Sequence, residues 1–361
     1  MTLLNIIGNM EGNYTGYGIH IRGLWNALQR IKSDQIKYNF TETSSIESIA
    51  ASIEISRSFP GQVINIAISV GPSNQILSKF NGLKISYTVF ETDKLPDDWT
   101  YGLNHSDYVI TASDWGRQIM INCGVQSDKV FVIPEGVDTN VFHRYGGTVS
   151  ELNSSAFKFL MIGKYESRKG YDVLIESFCE AFKEGANVEL WLKADSFGDP
   201  NSLAEFKSDI ARRNLNNIKL INGHYDDMTM AAVYRSCDAF VFPSKGEGWG
   251  LPLIEAIACG IPVITTYISG HSEYLNHIKG LFLEIDSKLT PLPVGVYEKY
   301  FNYRDGAGNW YMPDSKSLAR KLVECMEFPR DNAIKASDII SRNFSWDSSA
   351  RKLLDLLCLI K

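Results

Sequence analysis

The chain has 361 residues, 44% hydrophobic and 22% charged, with 36 Lys and Arg against 42 Asp and Glu for a formal net charge of −6. This composition excludes a disordered, collagenous or small disulfide-stapled protein, and the acidic balance argues against a nucleic-acid partner held by charge. At roughly 100–200 residues per domain, the length points to two domains.

The N-terminal run LLNII (3–7) is short, has no basic region before it and reads as a strand rather than a signal peptide. The glycine-rich segment NMEGNYTGYGIHIRG (9–23) follows, and Ile19, Leu24, Leu28 and Ile31 share one face of a helix predicted from Gly16 to Ile31. Gly16-x-Gly18 is followed by Gly23, so the dinucleotide fingerprint is absent. The place of this loop, directly after the first strand, suits closure over a diphosphate. Strands at 36–41, 63–69, 83–90, 108–112 and 130–134 then alternate with helices at 45–58 and 113–124, which predicts βαβ units and a parallel sheet.

A turn-rich stretch (134–155) separates this series from a second one. Its predicted strands are 157–163, 188–194, 218–223, 239–243, 262–268 and 280–285, with helices at 170–183, 202–213, 227–236 and from 252. The expected fold is therefore α/β, with two Rossmann-like doubly wound domains facing each other across a cleft, the default ligand site. We expect an N-terminal domain over 1–145, a C-terminal domain over 156–340 and a helix over 345–361, begun by an N-cap at Ser345, packing on the domains. Residues 286–313, rich in Pro, Gly and aromatics, read as a surface insertion, and 315–326 as an amphipathic helix.

The six cysteines, at 123, 179, 237, 259, 325 and 358, are far apart with no Cys-x-x-Cys, and predict reduced, buried thiols. No segment approaches the roughly 18 apolar residues of a membrane span. The chain thus reads as cytoplasmic, with peripheral contact at the inner face of a membrane left open.

Two stretches carry the chemistry. In SKGEGWGLPLIEAIACGIPVI (244–264), Glu247 and Glu255 flank Gly248, Trp249, Gly250 and Leu251, and Pro252 suits a helix start. Glycines leading into a helix let backbone N–H groups meet an anion, and carboxylates on either side can reach different parts of one extended ligand. The bland alternative is that Glu247 is a solvated loop residue and Glu255 a first-turn dipole partner. In GKYESRKG (163–170), Lys164, Arg168 and Lys169 follow a strand, where cations at the C-terminal edge of a parallel sheet meet anions. A solvated basic turn is the alternative there.

These segments, together with VIPEGVDTNVF (132–142), resemble the retaining family-4 glycosyltransferases of the GT-B fold, the glycosyl transferases group 1. The resemblance is strong over the second domain and the linker and loose over the first. It implies that Glu247 meets the donor sugar's hydroxyls, that Glu255 binds the ribose, and that Lys169 and Lys164 clamp the diphosphate. Gly248, Trp249, Gly250 and Leu251 would line the donor, and Gly16 or Gly18 would match the phosphate-side loop of the first domain. The family often has Arg where Lys164 stands, and Arg168 has no clear role.

Many members also carry a His after the fourth strand of the first domain; here Glu91 stands there, with Asp93 nearby. Glu91 would contact the donor sugar or orient the acceptor hydroxyl. Acceptor contacts are expected from Tyr14, Tyr17, Asp93 and Trp99, although these aromatics fit a core equally well. By the same resemblance the donor is a nucleotide-diphosphate-sugar, UDP- or GDP-linked, and the acceptor a glycan or lipid-linked glycan in bacterial surface polysaccharide synthesis. No resident cofactor or metal is expected, and the sequence has no Asp-x-Asp. The competing readings are a nucleotide-sugar 2-epimerase and a non-catalytic sugar-nucleotide-binding subunit.

Overall fold

The computed structural model describes residues 1–10, 15–31, 33–195, 200–212, 216–293, 295–297, 301, 303, 306 and 308–360. The first sheet consists of β1 (Thr2–Gly8), β2 (Ile36–Glu42), β3 (Gln62–Ile68), β4 (Leu83–Tyr87), β5 (Tyr108–Thr111) and β6 (Val130–Val132), in the order 2-1-3-4-5-6. Every neighbouring pair in it is parallel. In β1, Leu3, Leu4, Ile6 and Ile7 are all buried, the continuous apolar run of a strand covered on both faces.

The second sheet consists of β7 (Phe157–Lys164), β8 (Val188–Asp195), β9 (Ile218–Leu220), β10 (Ala239–Phe242), β11 (Val263–Thr266) and β12 (Leu283–Ile285), in the order 12-11-10-7-8-9 and again parallel. Its strand order reverses between β7 and β10. The chain leaves β7 toward β8 on one side and returns to β10 on the other, so the loops after β7 and β10 are left adjacent at the switch point.

The chain forms two compact units. Unit 1 comprises Met1–Gly136, Pro291–Asn309 and Phe344–Lys361; unit 2 comprises Val137–Thr290 and Trp310–Asn343. The segment read as an insertion contributes β13 (Ser287–Pro291) and β14 (Asn309–Pro313), which pair with each other. The helix Trp346–Leu359 begins at Ser345, whose hydroxyl accepts from the Ser348 N–H at 3.2 Å, and it belongs to unit 1. A helix at Arg330–Asn343, which the periodicity did not reveal, buries mainly the small residues Ala333, Ala336 and Ser337 beside Ile340. Of the cysteines, Cys237, Cys259 and Cys325 are buried, Cys123 is partly buried, and Cys179 and Cys358 are exposed, which corrects the expectation of buried thiols throughout. Among the described residues no helix is long and apolar enough to cross a membrane.

Candidate functional site

In unit 2 the turn after β7 and the loop after β10 are locked together through their backbones. A Cβ on Gly170 would lie 2.3 Å from the Pro243 carbonyl oxygen, and φ is +76° there, so only glycine allows the approach. The Lys245 N–H donates to the Arg168 carbonyl at 2.8 Å. These contacts carry the cations of the short 3₁₀ turn Ser167–Lys169 to the glycine loop that precedes the helix Leu251–Ala258.

The outcome is a buried ionic cluster. Glu247 is 5% exposed, and Arg168 and Lys169 are each 7% exposed. One carboxylate oxygen, Oε1 of Glu247, accepts from Lys169 Nζ at 2.7 Å and Ser244 Oγ at 2.6 Å, with Arg168 Nη1 3.0 Å away. Arg168 Nη1 also donates to the Gly246 carbonyl at 2.6 Å, which pins the loop. Burial alone would raise the Glu247 pKa; the Arg168 and Lys169 charges and the Lys169 and Ser244 hydrogen bonds outweigh it and hold the carboxyl at about 2. Burial, then Arg168, pull Lys169 below the ordinary lysine range, against the Glu247 charge. Glu247 is thus no solvated loop residue, and Arg168, which the sequence left without a role, is the second cation on it.

Glu255 lies in the second turn of its helix, not the first, because the helix starts at Leu251. The Tyr234 hydroxyl donates to its Oε2 at 2.9 Å. Burial pushes its pKa up to about 8, with Tyr234 opposing the rise and Asp227 adding to it. Lys164 is the last residue of β7 and is partly buried. Trp249 and Leu251 are buried, the indole edge-on to Tyr274 at 5.0 Å, so their side chains support the loop from within. Gly248 and Gly250 lie in the same loop, with the Gly250 carbonyl accepting from the Tyr274 hydroxyl at 3.1 Å. Beneath it, His271 donates from Nε2 to the Thr266 carbonyl at 2.7 Å, and burial lowers its pKa to about 4.

Unit 1 treats its expected site residues differently. Gly16 opens the helix Gly16–Arg30 and is exposed; a Cβ there would meet no atom within 4 Å. Thr15 caps the same helix by accepting from the buried Gly18 N–H at 3.1 Å. The Tyr17 hydroxyl donates to the Val89 carbonyl at 3.1 Å, accepts from the Val89 N–H at 3.2 Å and meets Thr88 Oγ1 at 3.2 Å. Its polar end is committed to the chain that leads to Glu91, which is partly buried in the bend beyond β4. Asp93 accepts from the Asn309 N–H at 2.6 Å and from its Nδ2 at 2.8 Å, so its carboxylate anchors the insertion.

Trp99 is 4% exposed inside an apolar cluster with Leu103, Val109 and Ile119, edge-on to Phe90 at 4.9 Å; it is core and not an acceptor platform. The sequence signal was ambiguous there because an aromatic at a helix start serves either purpose. Tyr14 lies outside the described residues. Among the described residues no group of three or more His, Cys, Asp or Glu is placed to hold a metal ion.

Residues 148–288, which contain the whole ionic cluster, match the model of the family described as glycosyl transferases group 1. Over these residues the chain is similar to members of that family. Similar proteins include the mannosylfructose-phosphate synthase of Agrobacterium fabrum, 23% identical over 263 residues, covering 68% of this chain and 57% of the relative. The probable sucrose-phosphate synthase of Thermosipho melanesiensis is 30% identical over 238 residues, 64% of this chain and 47% of the relative. The chain spans about half the length of the curated relatives it matches. Among solved structures, Anabaena HepE in complex with UDP and glucose aligns with a TM-score of 0.70 at 16% identity, over 99% of this chain and 100% of that one. The fold is GT-B, and the segment that matches the family model forms most of unit 2.

Proposed function

We propose that the chain is a retaining, metal-independent glycosyltransferase of family 4. In this reading it moves a sugar from a UDP- or GDP-linked donor to a glycan or lipid-linked acceptor during bacterial surface polysaccharide synthesis, in the cytoplasm at the inner face of the membrane. The observation that carries the proposal is the ionised Glu247 carboxylate, buried against Lys169 and Arg168 at the C-terminal edge of a parallel sheet. A neighbour of the same fold was solved with UDP and glucose, which supports a nucleotide-sugar donor.

Breaking a sugar–diphosphate bond leaves negative charge on the departing phosphate. Lys169, Lys164, Arg168 and the loop amides of Gly246 and residues 248–250 supply fixed positive charge and donors for it, in surroundings that screen poorly. Glu247, charged at neutral pH, accepts hydrogen bonds from the sugar hydroxyls, and Glu255 with Tyr234 meets the ribose. No protein nucleophile is needed, since the departing phosphate takes the acceptor's proton.

Donor hydrolysis across a panel of UDP-, GDP- and ADP-sugars tests the reading. One donor should turn over, unchanged by excess chelator, and Glu247→Ala and Lys169→Ala should abolish the turnover while the fold survives. Full activity in both variants would refute the assignment of the site.

A further inference from the structure

The turn after β11 is built as a support for the Glu247 loop. Thr266 Oγ1 donates to the Ser244 carbonyl at 2.9 Å, and the Gly270 N–H donates to the Glu247 carbonyl at 2.9 Å. A Cβ on Gly270 would fall 1.9 Å from the Gly248 carbonyl oxygen, so the two backbones touch. At the apex of this turn is Ser269, the one non-glycine residue among those described with a positive φ, +44°. Its hydroxyl accepts from the Glu247 N–H at 2.9 Å, and the residue is 2% exposed.

A side chain in the left-handed region is sterically disfavoured, and a glycine would occupy the same backbone without cost. A strained residue that persists must be held by its surroundings, and such positions collect at functional sites. The side chain explains why a serine stands there. Its hydroxyl is the partner of a buried N–H that would otherwise be unsatisfied, and that N–H belongs to the residue whose carboxylate meets both cations.

We propose that Ser269 is a positioning residue. Its left-handed backbone aims Oγ at the Glu247 amide and so sets where the Glu247 carboxylate stands relative to Lys169 and Arg168. The role assigned to Glu247 rests on the proposed function; the support of the 244–250 loop by Ser269 does not.

The test compares Ser269→Ala with Ser269→Gly in the full chain, by hydrogen exchange over residues 244–250, by thermal midpoint and by turnover of the best donor in the panel above. Both variants lack the hydroxyl, so exchange across 244–250 should rise in both, and kcat should fall about tenfold, the equivalent of one lost hydrogen bond, with donor KM little changed. Glycine relieves the strain and alanine retains it, so Ser269→Gly should melt above Ser269→Ala, the reverse of the usual order. A purely structural role would make activity follow the melting point and recover in Ser269→Gly. That recovery, or unchanged exchange at 244–250 in both variants, would overturn the proposal. If the wild-type chain turns over none of the donors, the functional reading fails while exchange and melting order still decide whether Ser269 holds the loop.

Discussion

The two units use polar residues in opposite ways. In unit 2 Glu247, Lys169 and Arg168 are buried and charged, and they compensate one another: two cations and a serine hydroxyl lie within 3.0 Å of one carboxylate oxygen. In unit 1 the residues singled out by aromatic or acidic character are consumed by the fold, Tyr17 on backbone, Asp93 on Asn309 and Trp99 in the core. Burial that keeps charge is costly and therefore informative about function; burial of an aromatic is cheap and common.

Substitutions should separate the two units. The largest effect is expected for Glu247→Ala, which leaves Lys169 and Arg168 buried without their counter-charge. Loss of one partner of such a pair costs about 3–5 kcal/mol of stability, and turnover should fall by a factor of roughly 10²–10³ or more. Urea unfolding and initial rates measure the two separately, and a variant as stable and active as the parent would erase the contrast between the units. Trp99→Ala should come next, costing about 3–5 kcal/mol by cavity formation with donor KM unaltered. A raised acceptor KM in a variant of parental stability would instead restore Trp99 to the acceptor surface.

The pH dependence of stability offers a sharper comparison within unit 2. The folded pKa of Glu255 is raised from 4.5 to about 8, so the folded state binds more protons than the unfolded state across that interval, and stability falls as pH rises through it. Glu247, held at about 2, works in the other direction: its contribution is full above 4.5 and is lost as pH falls toward 2. Glu255→Gln should flatten the decline between pH 5 and 8, a difference of about 2–4 kcal/mol at the alkaline end, read from denaturant melts at several pH values. A wild-type profile that is level over this range would contradict the raised pKa of Glu255. The smallest effect is expected for Tyr17→Phe, about 1 kcal/mol for the hydroxyl's lost bonds, seen as a modest drop in melting temperature.

Much of this molecule was legible in one dimension. Strands buried over most of their length, such as β1 and β7, announce themselves as apolar runs, and the N-cap at Ser345 stands where the sequence placed it. The helix Arg330–Asn343 did not, because its buried face is mostly alanine and serine and its mean character is polar. Glu247 and Lys169 were legible from their motif. Ser269 was not, since a serine in a turn carries no signal until its φ and its partner are known.

What the sequence by itself determined is the class of fold, the alternation that makes two parallel sheets, and the short list of charged residues worth following. Periodicity and motif are local properties, and these conclusions need nothing more. Only the tertiary structure decided which of those residues act on one another. Residues 168–169 and 244–247 are separated by more than seventy positions, and they meet because β7 and β10 are neighbours at the point where the strand order reverses. The same burial that brings them together lowers the local dielectric, and that turns an acidic residue and two basic ones into a cluster with a fixed charge state.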